Sequence, residues 1–207
     1  MSKISPQLVL QAYCSGAFPM AHPEDENQIY WHAPDPRAIL PFDEFHVPTN
    51  LARLVRQKPF TVTTDCAFER VIHACAERTS TWISRDIIRI YTELHERGFA
   101  HSVECWAEEQ IVGGLYGVAV RGAFFGESMF YRTSNASKVA LVHLFDMLHR
   151  GGFLLHDIQF LSSHMEQFGA VEISREQFLN RLDRALATAA AWPAPPDLPG
   201  VVEKQTC

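Results

Sequence analysis

Ala123-Phe124-Phe125-Gly126-Glu127-Ser128-Met129-Phe130 is an apolar run that carries a single carboxylate. Two similar segments precede it, His101 to Ala107 and Ile111 to Val120. The connections Glu108-Glu109-Gln110 and Arg121-Gly122 are short enough for hairpins, so the three read as an antiparallel meander. Glu127 is costly to bury unless another group pairs with it, and an arginine ion pair is one way to meet that cost. Downstream, Phe153-Leu154-Leu155 opens into His156-Asp157-Ile158-Gln159. As a strand, its period of two puts Asp157 and Gln159 on one face and Ile158 on the other. The same period puts Met129 on the face of Glu127. Two strands ending in Glu127 and in Asp157 and Gln159 gather two acids and an amide in one cleft. That chemistry suits an amine.

Helices flank the meander. Ser5-Pro6 opens a helix through Tyr13 that stops at Gly16. Residues 19–48 are proline-rich and read as an irregular arm, with extended pieces around Tyr30-Trp31 and Ala38-Ile39-Leu40. A helix from Thr49-Asn50 ends before Pro59, and Phe60 to Thr63 reads as a short strand. Asp65 caps a helix with Phe68, Val71, Ile72 and Cys75 on one stripe. Ser84 caps the next, with Ile87, Ile90, Tyr91 and Leu94 inside. After the meander come a helix from Asn135 to His149 and the strand Phe153 to Phe160. Ser163-x-x-Glu166 reads as a capping box for a short helix, and Ser174-x-x-Gln177 opens the last one. Ala187 to Cys207, rich in Ala and Pro, reads as a disordered tail. The order predicts an α+β, GNAT-like acyltransferase domain, with a mixed, mostly antiparallel sheet and flanking helices. It divides the chain into a reduced helix-and-arm domain (1–35), a GNAT-like catalytic domain (36–186) and a tail (187–207). Such an analogy leaves function open.

Composition narrows the choice. The 207 residues are 47% hydrophobic and 20% charged, as in a soluble globular protein, and no apolar run approaches the length of a membrane span. The N-terminus lacks the apolar run of a signal peptide, so a cytoplasmic location is the expectation. Five dispersed cysteines form no C-x-x-C pair and suit neither a disulfide framework nor a zinc site. The histidines show no ligand spacing, and no metal is expected. A net charge of −6 argues against bulk affinity for nucleic acid. Residues 51–100 nevertheless carry eight basic and six acidic side chains, seven of the eight being arginines. These form either a phosphate-binding patch or a mixed, solvated helix surface.

Nine elements in sequence order resemble the bacterial leucyl/phenylalanyl-tRNA–protein transferases. They are Gly16-Ala17-Phe18-Pro19, Tyr30-Trp31 before Pro34-Asp35-Pro36-Arg37, Thr81-Trp82-Ile83, and Gly98-x-Ala100-His101-Ser102-x-Glu104-x-Trp106. Gly113-Gly114-x-Tyr116-Gly117, Gly126-Glu127-Ser128-Met129-Phe130, Asn135-Ala136-Ser137-Lys138, Asp157-x-Gln159 and Phe168-Gly169-Ala170 follow. The resemblance covers roughly residues 5–185. It implies transfer of Leu or Phe, and less well Met, from charged tRNA to the N-terminal amine of proteins beginning with Arg or Lys, which marks them for degradation. It implies a GNAT-like domain working without coenzyme A or another cofactor, as a monomer. Tyr131 to Ser137 accordingly holds no glycine loop for a pyrophosphate.

The resemblance also assigns roles. Gln159 orients the amine with Asp157 polarising it, and Glu127 faces the substrate's amino group or the acceptor's basic end. Met129, Leu115, Leu141, Leu144 and Leu148 line the donor side-chain pocket. Trp82, Tyr13 and Trp31 are candidates to stack on the terminal adenosine, although Trp31 serves equally as a structural residue. Arg53, Arg56, Arg78, Arg85 and Lys138 are candidates for acceptor-stem phosphates. The chain departs from its relatives at Met20, where a tryptophan is frequent, and at His156, where an aliphatic residue is usual. Two other readings stay open at this stage: a coenzyme A-dependent N-acyltransferase of the same fold, and a non-catalytic binder of tRNA or protein N-termini.

Overall fold

The computed structural model describes residues 4–22 and 25–193. Seven helices and nine strands are assigned in them: α1 (Pro6–Cys14), β1 (Phe18–His22), β2 (Asp25–His32), β3 (Arg37–Ile39), α2 (Thr49–Gln57), β4 (Thr61–Thr64), α3 (Phe68–Ala76) and α4 (Arg85–Glu96). The meander β5 (Ala100–Ala107), β6 (Gln110–Val120) and β7 (Ala123–Tyr131) follows, then α5 (Ala136–Arg150), β8 (Leu155–Gln159), α6 (Ser163–Glu166), β9 (Val171–Ile173) and α7 (Arg175–Ala187). This is an α+β protein. Its main sheet runs β4-β5-β6-β7-β8-β3-β9 and is antiparallel except where β7 meets β8. The arm expected from the prolines holds a separate hairpin, β1–β2, and its expected extended pieces at Tyr30-Trp31 and Ala38-Ile39 fall in β2 and β3.

Strand alternation sends side chains to two cores. One face of the sheet packs with Val9 and Tyr13 of α1, Val71 and Ile72 of α3, Ile87, Ile90 and Tyr91 of α4, and Phe178 and Leu182 of α7. The other packs with Val139, Leu141, Leu144 and Leu148 of α5, and with Leu51, Met165 and Phe168. The first helix thus shares its core with the body of the protein. Ser5, Ser84 and the capping box at Ser174 and Gln177 act as the sequence suggests.

Several expectations change. Asp65 does not cap α3, which starts from Ala67 with no side-chain cap. Its carboxylate instead accepts the Ser102 N–H (2.9 Å) and meets His101 Nδ1 (2.8 Å). The box at Ser163 does not form, because α6 starts one residue earlier, from Ser162. Part of the tail is ordered: the Ala191 N–H donates to the Gly151 carbonyl, and Trp192 stacks on His101 with ring centroids 4.2 Å apart. Residues 194–207 of the expected disordered segment lie outside the described residues.

A one-residue irregularity in β7 has the largest consequence. Tyr116 pairs with Ser128 and Gly117 with Gly126, so Glu127 is a bulge residue with no partner on β6. Gly117 makes room for the pinch, since a Cβ there would stand 2.4 Å from the Phe125 carbonyl oxygen. The extra residue reverses the alternation. Phe125 belongs to the first core, whereas Met129, four residues on, packs against the second. Glu127 and Met129 therefore do not share a face, contrary to the period-two expectation.

Candidate active site

β7 and β8 run side by side only from Ala123/Leu155 to Phe125/Asp157. Beyond that point β7 stays with β6 and β8 stays with β3, and the two strands part. The gap is a cavity of about 240 Å3. Its lining combines apolar side chains, Leu115, Met129, Leu141, Leu144, Ile158 and Met165, with polar ones that include Glu127, Ser128, His156, Gln159, Ser162 and His164. Trp82 and Arg78 stand at the boundary with a second cavity, of about 620 Å3, that Met20, Tyr30 and His32 also line.

The bulge turns Glu127 toward α1 and α4. Tyr13 donates its hydroxyl to Oε1 (2.6 Å) and Tyr91 to Oε2 (3.1 Å), and the two phenols also touch each other. Gln159 Nε2 donates to Oε1 across the parted strands (3.1 Å). No arginine contacts this carboxylate. Desolvation pushes its pKa up to about 7, against the pull of the two phenol hydrogen bonds.

Asp157 lies nearby and is held differently. Arg37 Nε donates to Oδ1 (2.8 Å) and Nη2 to Oδ2 (2.6 Å), a bidentate fork at 1% and 0% exposure. The Arg37 guanidinium is itself 4.6 Å from the ring centroids of both Phe18 and Phe178. Burial raises the Asp157 pKa, and the guanidinium draws it back down. Oδ1 also accepts the Gln159 backbone N–H (2.9 Å). Gln159 has a φ of 60°, a left-handed conformation that costs a non-glycine residue about 1–2 kcal/mol. Asp157 thus secures the strained backbone from which the Gln159 side chain reaches Glu127. It does not line the cavity itself.

Two family models together match most of the chain. The leucyl/phenylalanyl-tRNA protein transferase model covers residues 39–183, and that family's N-terminal domain model covers residues 2–35. The chain belongs to this family of aminoacyltransferases. The leucyl/phenylalanyl-tRNA–protein transferase of Salinibacter ruber is 57% identical over 189 residues, covering 91% of this chain and 83% of the relative. Those of Paramagnetospirillum magneticum and Gloeobacter violaceus are each 52% identical, covering 92% and 89% of this chain and 93% and 95% of the relatives. Among solved structures, L-PGS from Bacillus licheniformis aligns at a TM-score of 0.48 and 13% identity, covering 73% of this chain and 65% of that one. A likeness at that level carries no argument. No helix among the described residues is long and apolar enough to cross a membrane.

The residues that the family resemblance singles out do not all converge. Glu127, Gln159, Met129, Leu115, Leu141, Leu144, Trp82 and Arg78 border the cavity, and Arg78 Nη2 donates to the Met129 carbonyl (2.6 Å). Leu148 is core, fully buried one turn past Leu144 and away from the cavity. Tyr13 has no exposed face for stacking on a base, because its ring is sealed beneath Phe125 and its hydroxyl is committed to Glu127. Trp31 is 40% exposed on β2, opposite Pro19, and borders neither cavity. Arg53 and Arg56 are exposed on α2 and line neither cavity, and Arg85 lines a groove between α3 and α4 with Glu69, Glu93 and Glu96. Lys138 Nζ donates to Gln167 Oε1 (3.4 Å).

Arg37 and Tyr91 carry parts of the site that the sequence reading passed over. A signal existed for Tyr91, since a tyrosine on an apolar helical stripe must find a hydroxyl partner in the core. For Arg37 it lay in the register: Ile39 pairs with Asp157, which places β3 beside that carboxylate.

Proposed function

We propose that this chain moves Leu or Phe, and less readily Met, from aminoacyl-tRNA to the N-terminal α-amine of proteins beginning with Arg or Lys, and that it does so between β7 and β8. The family supports the reaction class. One observation carries the placement: Gln159 and Glu127 are hydrogen-bonded across the parted strands, beside an apolar cavity of amino-acid size.

An aminoacyl ester is already activated, so the enzyme has to position the amine and remove its proton. A free α-amine has a pKa of about 7.7–8.0 and arrives mostly as ammonium. Glu127, with a pKa of about 7, sits close enough to take that proton with little free-energy cost. Gln159 Nε2 is engaged by Glu127, which leaves Oε1 to accept from the same amine. The nitrogen attacks the ester carbon, the bond to the ribose oxygen breaks, and that oxygen leaves with the nitrogen's second proton.

The donor side chain occupies the smaller cavity and the terminal adenosine the larger, with Trp82 between them as the stacking surface. Such stacking contributes about 1–3 kcal/mol. Arg78 is the cation best placed for the adjoining phosphates. The reading extends to the setting: a GNAT-like body at 36–186, a helix-and-arm unit at 1–35, and a cytoplasmic monomer without a cofactor that marks its acceptors for degradation by the N-end rule.

The test supplies labelled Leu-tRNA or Phe-tRNA and a peptide beginning with Arg. Label should enter the peptide and should not enter its N-acetylated form. No transfer at any salt concentration would overturn the proposal.

A further inference from the structure

Beside its apolar residues the donor cavity is lined by His156, Ser162 and His164, and His156 is the most deeply buried of these three. This residue belongs to β8, is 2% exposed, and lines the cavity together with Leu115, Met129, Leu141, Leu144 and Ile158. Its ring lies edge-on to Phe124, with centroids 5.5 Å apart. Nδ1 is buried without a partner. Nε2 faces Gly126, another cavity residue, at 3.3 Å from the position a Cβ would take there. Gly126 has no side chain to cover that nitrogen. Burial pushes the pKa of His156 down to about 3, so the ring is neutral and carries one N–H. An N–H left unpaired in an apolar site is costly, and the proton is best placed on the nitrogen a ligand can reach.

We infer that His156 is a specificity-determining residue for the donor amino acid, and that its Nε2–H favours a side chain ending in a soft acceptor, the thioether of methionine. This rests on the proposed transfer reaction. Norleucine, a hydrocarbon chain of the same shape, leaves the N–H unpaired. A methionine sulfur near the Gly126 wall accepts from it, a contact open to a thioether.

Methionine and norleucine, both charged onto the same tRNA, separate sulfur chemistry from shape. Wild-type protein should prefer methionine by about threefold, the size of one weak hydrogen bond. His156→Leu should bring the ratio to one. His156→Gln, which restores an N–H donor, should keep the preference. Equal use of the two by wild type, or an unchanged ratio in His156→Leu, would overturn the inference. If His156→Leu fails to fold, the wild-type ratio and the Gln variant decide. The same ratio is read from equilibrium binding of the two charged tRNAs. Absence of all transfer would therefore count against the transfer reaction, and the binding ratio would still judge the role of His156.

Discussion

Glu127 and Asp157 lie on neighbouring strands of one sheet, yet their surroundings treat them oppositely. The region around Asp157 answers a buried charge with a charge, and every donor that reaches the carboxylate is fixed in the core. The region around Glu127 answers it with two phenols and an amide, all neutral. Arg37 holds Asp157 in a bidentate fork inside the core, which suits it to a supporting role. Glu127, with no cation in contact among the described residues, has a pKa raised to about 7 and borders the cavity, which suits it to the proposed role of proton acceptor. The partner, rather than depth alone, decides whether an acid in this cleft braces the site or reacts in it.

The comparison breaks first at Glu127. Replacing it with Gln keeps the shape and removes the proton acceptor, so turnover should fall roughly 10²- to 10⁴-fold. In the wild type the rate should rise with pH through about 7, and the variant should lose that limb. Stability should run the other way. The native pKa lies above the ordinary carboxyl value of 4.5, so between the two the folded state binds the proton more tightly than the unfolded chain. Stability therefore falls as pH rises across that window, and Glu127→Gln should flatten the slope. A pH–rate profile and denaturation midpoints at several pH values check both.

Arg37→Met tests the other side. It strands a buried carboxylate, and thermal or urea denaturation should show a loss of about 3–5 kcal/mol. Adding Asp157→Leu should recover most of that stability, because an apolar pair can replace a buried ion pair at little cost. It should not recover turnover, because the Gln159 N–H then lacks its acceptor. Recovery of both would reduce Asp157 to a packing role.

Tyr91→Phe has the smallest expected effect and sharpens the contrast. It removes one O–H donor from Glu127, which costs the ionised form about 1.5–3 kcal/mol. The acid limb of the rate profile should move to higher pH while binding of aminoacyl-tRNA stays the same. A limb that does not move would detach Glu127 from it.

Much of the scaffold was legible from periodicity and caps. The meander, α5, β8 and α7 carry strong local patterns, and each stands within a residue or two of its expected place. Tyr30-Trp31 was legible as extended, but the β1–β2 hairpin as a whole and the strand β9 were not. The first is a polar, proline-bearing stretch whose order comes from pairing, and the second is three residues long. Trp192 gave no local sign that it would dock, because its stacking partner His101 lies far away in the chain.

At the site, the residue types in Gly126 to Phe130 and in Asp157-x-Gln159 by themselves determined that acids and an amide would meet on adjacent strands. Only the tertiary structure decided which way each would point. The bulge at Glu127 has no local sequence cost that reveals it, since it depends on Gly117 yielding space on the next strand. The division of labour between the two carboxylates likewise depends on partners brought from β3, α1 and α4, at separations of 120, 114 and 36 residues. Local pattern is a property of neighbours along the chain, whereas the protonation state of a buried acid is a property of its neighbours in space.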